Sequence, residues 1–332
     1  MRKLFFCIDG HTGGNPVRMV VGGAPFLLGA TMSERRQDFL SRFDWIRKGL
    51  MFEPRGHDLM SGGFVYPPLK PENDGALLFI ETSGSLPLCG HGSVGMVTFA
   101  LEHGIIIPRI EGQLRLEVPA GILEVTYTRR GHKVTSVKLH SVPSFLYAQD
   151  VEFTDAEFGK LRVDVAYGGN FYAILEPQDG YAGIHSVGLR KIVLASPRLR
   201  KAIEEKVAPV HPEDPSIRGV SHMMWSDTVD ADGLGSSAAV FCGEQTLDHG
   251  PCGTGTAARL AQLSARGQLD VGQDFDQRSH VGTRFVGRIV EKTKVGPFDA
   301  IRPTLEGSAH VTGYNQIWID TDDPFPEGFQ VA

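Results

Sequence analysis

The sequence predicts a mixed α/β (α+β) protein of two similar domains, each a sheet wrapped around a central helix. Three observations carry that expectation. The segment Ile8-Asp9-Gly10-His11-Thr12-Gly13-Gly14-Asn15 returns as Val163-Asp164-Val165-Ala166-Tyr167-Gly168-Gly169-Asn170, with D-x3-GGN in both at an offset of 155 residues. Leu88-Cys89-Gly90-His91-Gly92-Ser93 is echoed by Pro251-Cys252-Gly253-Thr254-Gly255-Thr256, at an offset of 163. Each cysteine is then followed by an apolar helical run and, 15 residues on, by a glycine, Gly104 in one half and Gly267 in the other. Two motifs in the same order at nearly equal offsets, with equal spacing to a terminating glycine, mark an internal repeat.

The elements follow in chain order. Thr31-x-x-Glu34 is a capping-box pattern, and Phe39, Phe43, Ile46 and Leu50 continue it at helical spacing, so a packing helix is expected there. A helix starts at Cys89 and stops at His103-Gly104. Strands are read over Leu114 to Val118, where alternation is strict, Ile122 to Tyr127 and Val134 to Leu139. The domain junction is expected between Ser144 and Thr154, giving domains 1–150 and 151–310, with a strand in 310–332 free to return to the first domain. Ile184 to Lys206 reads as a second packing helix, interrupted at Ser196-Pro197. The helix after Cys252 ends at Arg266-Gly267, and Gln316 to Ile319 reads as a strand.

Composition narrows the function. At 332 residues, with 41% hydrophobic and 22% charged residues, the chain is that of an ordinary globular protein large enough for two cores. A net charge of −6 leaves no basic field for phosphate backbones, so no nucleic-acid partner is expected. No apolar run approaches the roughly 18 residues of a membrane helix, and the N-terminus reaches Asp9 before any signal-peptide core develops, so no membrane partner and a cytoplasmic location are expected. Cys7, Cys89, Cys242 and Cys252 are too few and too scattered for a disulfide framework, and no zinc-ligand spacing is present, so no metal is expected. Oligomeric state stays open, a homodimer being one option.

Cys89 and Cys252 each stand at a helix N-terminus. Unpaired first-turn N–H groups and the helix dipole stabilise a thiolate and also bind anions, so both thiols are expected to ionise nearer neutrality, beside a ligand carboxylate held over Gly90 and Gly253. Two such thiols acting on one small acid suit inversion at a carbon alpha to the carboxylate. Cys7 and Cys242 lie in apolar strand-like runs and read as small buried hydrophobes. Asp248, His91 and His222, taken alone, read as a turn residue and two structural histidines.

The motifs Asp9-Gly10-His11-Thr12-Gly13-Gly14-Asn15-Pro16-Val17-Arg18, Glu53-Pro54-Arg55-Gly56-His57, Leu88-Cys89-Gly90-His91-Gly92, Val165 to Tyr172 and Asp248-x-x-Pro251-Cys252-Gly253-Thr254-Gly255-Thr256 strongly resemble the proline racemase family, over nearly the whole chain. Within it, Cys89 to Gly92, Arg218-Gly219-Val220-Ser221-His222 and Asp248 look most like 4-hydroxyproline 2-epimerases. The resemblance implies a diaminopimelate-epimerase-like fold of two pseudo-symmetric halves with the site in the cleft between them, and no cofactor. It implies Cys89 and Cys252 as the two acid/base residues, Gly90, His91, Gly253 and Thr254 as substrate-binding, and His222 and Asp248 near the ring nitrogen or hydroxyl. Members that dehydrate trans-3-hydroxyproline have Thr at the second cysteine, so Cys252 points to epimerisation of hydroxyproline. A proline racemase or a non-catalytic imino-acid-binding protein is the alternative. One departure bears on substrate preference: these epimerases usually read Asp-Arg-Ser-Pro-Cys, whereas this chain has Asp248-His249-Gly250-Pro251-Cys252.

Overall fold

The computed structural model describes residues 2–215, 217–242 and 246–331. In chain order the elements are β1 (Arg2–Thr12), β2 (Asn15–Gly22), α1 (Met32–Arg42), α2 (Asp44–Met51), β3 (Ser61–Tyr66), β4 (Gly75–Glu81), α3 (Gly90–Glu102), β5 (Gln113–Val118), β6 (Gly121–Arg130), β7 (Lys133–His140), β8 (Ser144–Asp155), β9 (Gly159–Tyr167), β10 (Phe171–Leu175), α4 (Ile184–Val187), α5 (Leu189–Glu204), β11 (His222–Ser226), β12 (Gly235–Cys242), β13 (Thr246–Leu247), α6 (Gly253–Ala265), β14 (Asp274–Ser279), β15 (Arg284–Val295), β16 (Phe298–Gly307) and β17 (Ala309–Asp320). They form two compact units, 1–139 with 307–332 and 140–306. The division falls after Leu139, so the segment 144–154 is strand β8 of the second unit.

The two units repeat one strand order. In the first it runs β17–β1–β2–β3–β4–β5–β6–β7, with β2–β3 and β4–β5 parallel and the other neighbours antiparallel. In the second it runs β8–β9–β10–β11–β12–β14–β15–β16, with parallel pairs at the same two places. There Ala300 and Ile301 of β16 pair with Phe145 and Ser144 of β8, which closes the sheet on itself. The helices also fall in matching places. α3 follows β4 and α6 follows β12 and β13, while α1–α2 and α4–α5 fill the equivalent crossovers.

Both inner helices have 13 residues and end alike. Gly104 (φ 64°) and Gly267 (φ 69°) take the left-handed conformation that glycine adopts without penalty. Ile105 N–H donates to Ala100 O and Gln268 N–H to Leu263 O, the helix-stop pattern with two reversed bonds completed by Gly104 to Leu101 and Gly267 to Ser264. Sequence from 92 to 101 in α3, and from 255 to 263 in α6, is buried on every face, as befits a helix enclosed by strands.

Two helical expectations need correction. The run from Thr31 to Leu50 is two helices, broken at Phe43 (φ −132°), although Thr31 does cap α1 through its side chain and Phe39, Ile46 and Leu50 are fully buried. In the 184–206 run the break lies at Gly188 (φ 81°), and Pro197 sits inside α5. Beside Pro197, Ser196 Oγ donates to Ile192 O at 2.7 Å and accepts from Trp225 Nε1 at 2.9 Å, pinning this turn to the core.

Close approach of strand and helix fixes each inner helix. A Cβ on Gly168 would collide with the Thr254 carbonyl and the Ala258 amide, so only glycine lets the end of β9 touch the first turns of α6. In the first unit the small residue is on the helix instead, where a Cβ on Gly95 would meet Thr12 Oγ1 and Val17 at 2.9 Å. Gly168→Ala should therefore lower stability by about 1–3 kcal/mol through overpacking, whereas Gly313→Ala, with open space around it, should be near neutral. Thermal unfolding of the two variants checks this, and equal melting temperatures would refute it.

Candidate active site

In the first unit Cys89 is the N-cap of α3 (φ −131°, ψ 115°), with Gly90 and His91 as the first helical residues. Its Sγ lies 3.7 Å from His91 Nδ1 and 3.9 Å from Nε2, so the sulfur faces the ring between its two nitrogens. His91 Nε2 lies 2.7 Å from Ser61 Oγ, and that hydroxyl donates its one hydrogen to Pro16 O at 2.8 Å. Ser61 can then only accept from His91. The imidazole carries its proton on Nε2 and presents Nδ1 as an acceptor.

The second unit repeats this device with different parts. His222 Nδ1 lies 2.7 Å from Ser221 Oγ, which donates to Phe171 O at 3.2 Å. Pro16 and Phe171 are the residues that follow the two GGN motifs. In each unit, therefore, the carbonyl after the motif orients a serine and the serine fixes one histidine tautomer, with the other ring nitrogen an acceptor, which in His91 faces Cys89 Sγ. An accepting nitrogen suits the N–H of an amino or imino acid.

Cys252 is the N-cap of α6, but in the left-handed region (φ 64°, ψ 112°), an uncommon conformation for a residue with a side chain. Its Sγ lies 3.3 Å from Tyr172 Oη, which in turn lies 2.6 Å from Thr254 Oγ1. The Tyr172 ring is fully buried and stacks on His222 at 4.6 Å between centroids. Asp248, held by its N–H to Val240 O at 2.8 Å, hydrogen-bonds the Cys252 thiol through its carboxylate. The second unit thus brings together Cys252, Gly253, Thr254, His222 and Asp248, and the first brings together Cys89, Gly90 and His91.

Electrostatics correct one expectation. Burial, followed by the negative charge of Asp248, pushes the Cys252 thiol up, well above its ordinary value, and the Tyr172 and Gly255 hydrogen bonds only partly oppose this. The helix terminus does not bring Cys252 near neutrality, because desolvation of a fully enclosed sulfur outweighs a partial charge at the helix end. Cys252 rests as a thiol. Cys7 is buried, and burial pushes its thiol up to about 12, as fits a structural cysteine. Cys242 differs from its expected role: it is half-buried, with Sγ 3.8 Å from Asp248 Oδ1.

The aspartates of the two D-x3-GGN motifs are clamps. Asp9 binds the buried Arg18 at 2.8 Å and Asn315 at 2.5 Å, and Asp164 binds Arg266 at 2.6 Å and Gln262 at 2.8 Å. Sequence reasoning missed Tyr172 and Ser61. Tyr172 stands two places after GGN, but a tyrosine in a strand is ordinary, and Ser61 is marked only by the glycine pair that follows it.

Burial pushes His222 down to about 4, partly offset by Asp248 and reinforced by Arg200, so its ring is neutral at pH 7. The unfolded chain takes up this proton near pH 6.5, well before the folded one does. This residue therefore removes stability as pH falls from about 6.5 to about 4 and contributes no such loss above that window. An NMR titration of the imidazole should give a midpoint near 4. A midpoint at the ordinary histidine value would contradict the packing described.

The proline racemase family profile matches residues 7–330. A 4-hydroxyproline 2-epimerase of Shewanella loihica is 50% identical over 332 residues, all of both chains. Another from Ancylobacter novellus is 51% identical over 331 residues, 100% of this chain and 99% of that one. Among solved structures, a hydroxyproline epimerase from Agrobacterium vitis with bound trans-4-hydroxy-L-proline superposes with a TM-score of 0.86 at 29% identity, covering 100% of this chain and 97% of that one. Full-length matches of this kind, on top of two cysteine-capped helix starts, mean that the chain belongs to the proline racemase family.

Proposed function

We propose that this protein is a 4-hydroxyproline 2-epimerase, an isomerase that interconverts trans-4-hydroxy-L-proline and cis-4-hydroxy-D-proline by moving a proton at Cα. The observation that carries the reading is a thiol at the N-terminus of an enclosed helix at the same topological place in each unit, with relatives of about 50% identity acting on 4-hydroxyproline. In the same reading the architecture is diaminopimelate-epimerase-like, and the protein works in the cytoplasm, where both thiols stay reduced.

Inversion at Cα requires a base on one face and an acid on the other. Cys252 rests as a thiol and serves as the acid in the direction where Cys89 takes the proton; the roles then reverse for the other epimer. First-turn N–H groups at Gly90–His91 and Gly253–Thr254 hold the substrate carboxylate, which withdraws charge from the developing carbanion. The neutral His222, with Asp248 nearby, accepts hydrogen bonds from the ring nitrogen or the 4-hydroxyl. No step calls for a cofactor.

Chiral chromatography with trans-4-hydroxy-L-proline should show conversion to the D-epimer, with a higher kcat/KM than for racemisation of L-proline. Equal or better turnover of proline would make the protein a proline racemase. Cys89→Ser and Cys252→Ser should each cut epimerisation by about 10²- to 10⁴-fold or more, and in D2O the product of either epimer should carry deuterium at Cα. Near-native activity of either serine variant would remove that cysteine from the mechanism. Dialysis against chelator should leave activity intact, and a metal required for turnover would overturn the cofactor-free scheme.

A further inference from the structure

The chemistry around the two thiols is exchanged between the units. The repeat offsets align Cys89 with Cys252 and His91 with Thr254, and they align Val17 with Tyr172. The strand register aligns Ser61 with His222, since Arg18 faces Gly62 as Ala173 faces Met223. The first unit therefore has an imidazole on the helix and a hydroxyl on the strand, and the second has the reverse. Tyr172 has no such counterpart: a valine, Val17, occupies the equivalent place in the first unit.

What Tyr172 does follows from its contacts. Its hydroxyl has one hydrogen and lies within reach of Cys252 Sγ at 3.3 Å and Thr254 Oγ1 at 2.6 Å. Thr254 can donate to Tyr172, and Tyr172 can donate to sulfur, which gives a file of donors ending on Cys252. When Cys252 is a thiol its own hydrogen goes to Asp248, and the sulfur needs little from Tyr172. When Cys252 has given its proton to substrate, the sulfur is an enclosed anion facing a carboxylate. Tyr172 Oη is then the side-chain donor the structure holds against it.

We propose that Tyr172 is a positioning residue of the epimerisation, whose hydroxyl, backed by Thr254, donates to the Cys252 thiolate and makes that anion attainable beside Asp248. The inference rests on Cys252 being one of the two acid/base residues. Because the tyrosine holds its proton tightly, with burial pushing it well above the ordinary phenol value, it remains a donor throughout and takes no part as a base. Val17 leaves Cys89 without this donor, and the group beside that sulfur is His91, whose Nδ1 can accept the thiol's hydrogen. The two thiols of the mechanism are thus supported by different groups, an imidazole in one unit and a phenol in the other.

The test is the pH dependence of Cys252 alkylation by iodoacetamide, read by peptide mass spectrometry in a Cys89→Ser background, with and without Tyr172→Phe. Phenylalanine keeps the buried ring and its stacking on His222 and deletes only the donor. The alkylation midpoint should rise by about one to two pH units. In the protein with both cysteines, Tyr172→Phe should lower kcat by about tenfold or more and shift the acidic limb of its pH profile upward, with KM changed little. An unmoved midpoint or an unchanged kcat overturns the proposal. If Tyr172→Phe does not fold, Thr254→Val decides: loss of the supporting donor should raise the same midpoint by a smaller amount, and no shift overturns it. Activity retained by Cys252→Ser would instead overturn the two-cysteine reading, which is a separate outcome.

Discussion

A helix enclosed by strands along its length can meet a ligand only at its ends. That constraint organises both units. α3 buries residues 92–101 and α6 residues 255–263, and their C-terminal ends are closed by glycine turns that satisfy the final carbonyls. The N-terminal ends carry a cysteine where an oxygen cap would ordinarily stand, and at α6 the Gly255 N–H bonds the Cys252 sulfur. A sheet that hides everything else leaves unpaired N–H groups and a thiol at one place. Tight contact at Gly168 and Gly95 sets where that place is.

The same constraint explains why the two thiols are not equivalent. A thiol inside an enclosed end is costly to ionise, and the helix dipole alone does not offset this for Cys252. Each unit therefore needs a local partner for its sulfur. His91 supplies one, with its tautomer set by Ser61, and Tyr172 supplies the other, set by Thr254.

Much of this was legible in the sequence. The paired D-x3-GGN and C-G-x-G motifs located both helix starts, and the equal distance from cysteine to glycine matched two 13-residue helices with the same stop. What stayed hidden depended on contacts between residues far apart in the chain. Ser61 and His91 meet across 30 positions and Tyr172 and Cys252 across 80, and no local pattern encodes either meeting. The break at Phe43 has no local signal, and the break at Gly188 was read at Ser196-Pro197 because proline is the louder signal, while the Ser196–Trp225 bond that pins that turn is tertiary. Cys242 looked buried because its neighbours are apolar, yet it is the last residue of its strand.

Strand β17 has a consequence of another kind. It pairs along the whole of β1, from Arg2 with Asp320 to Thr12 with Ala309, so the strands on either side of the second unit in sequence lie side by side in one sheet. The unit spanning 140–306 is continuous, and every strand of its closed sheet is available once residue 306 has left the ribosome. The other unit has to wait. Its β1 precedes and its β17 follows the whole of the second unit, so these two strands pair only across that inserted unit. Until β17 has been made, β1 presents one backbone edge without its strand partner. The second unit, although later in sequence, is the one able to complete its sheet first, and the order of maturation runs against the order of the genes' reading.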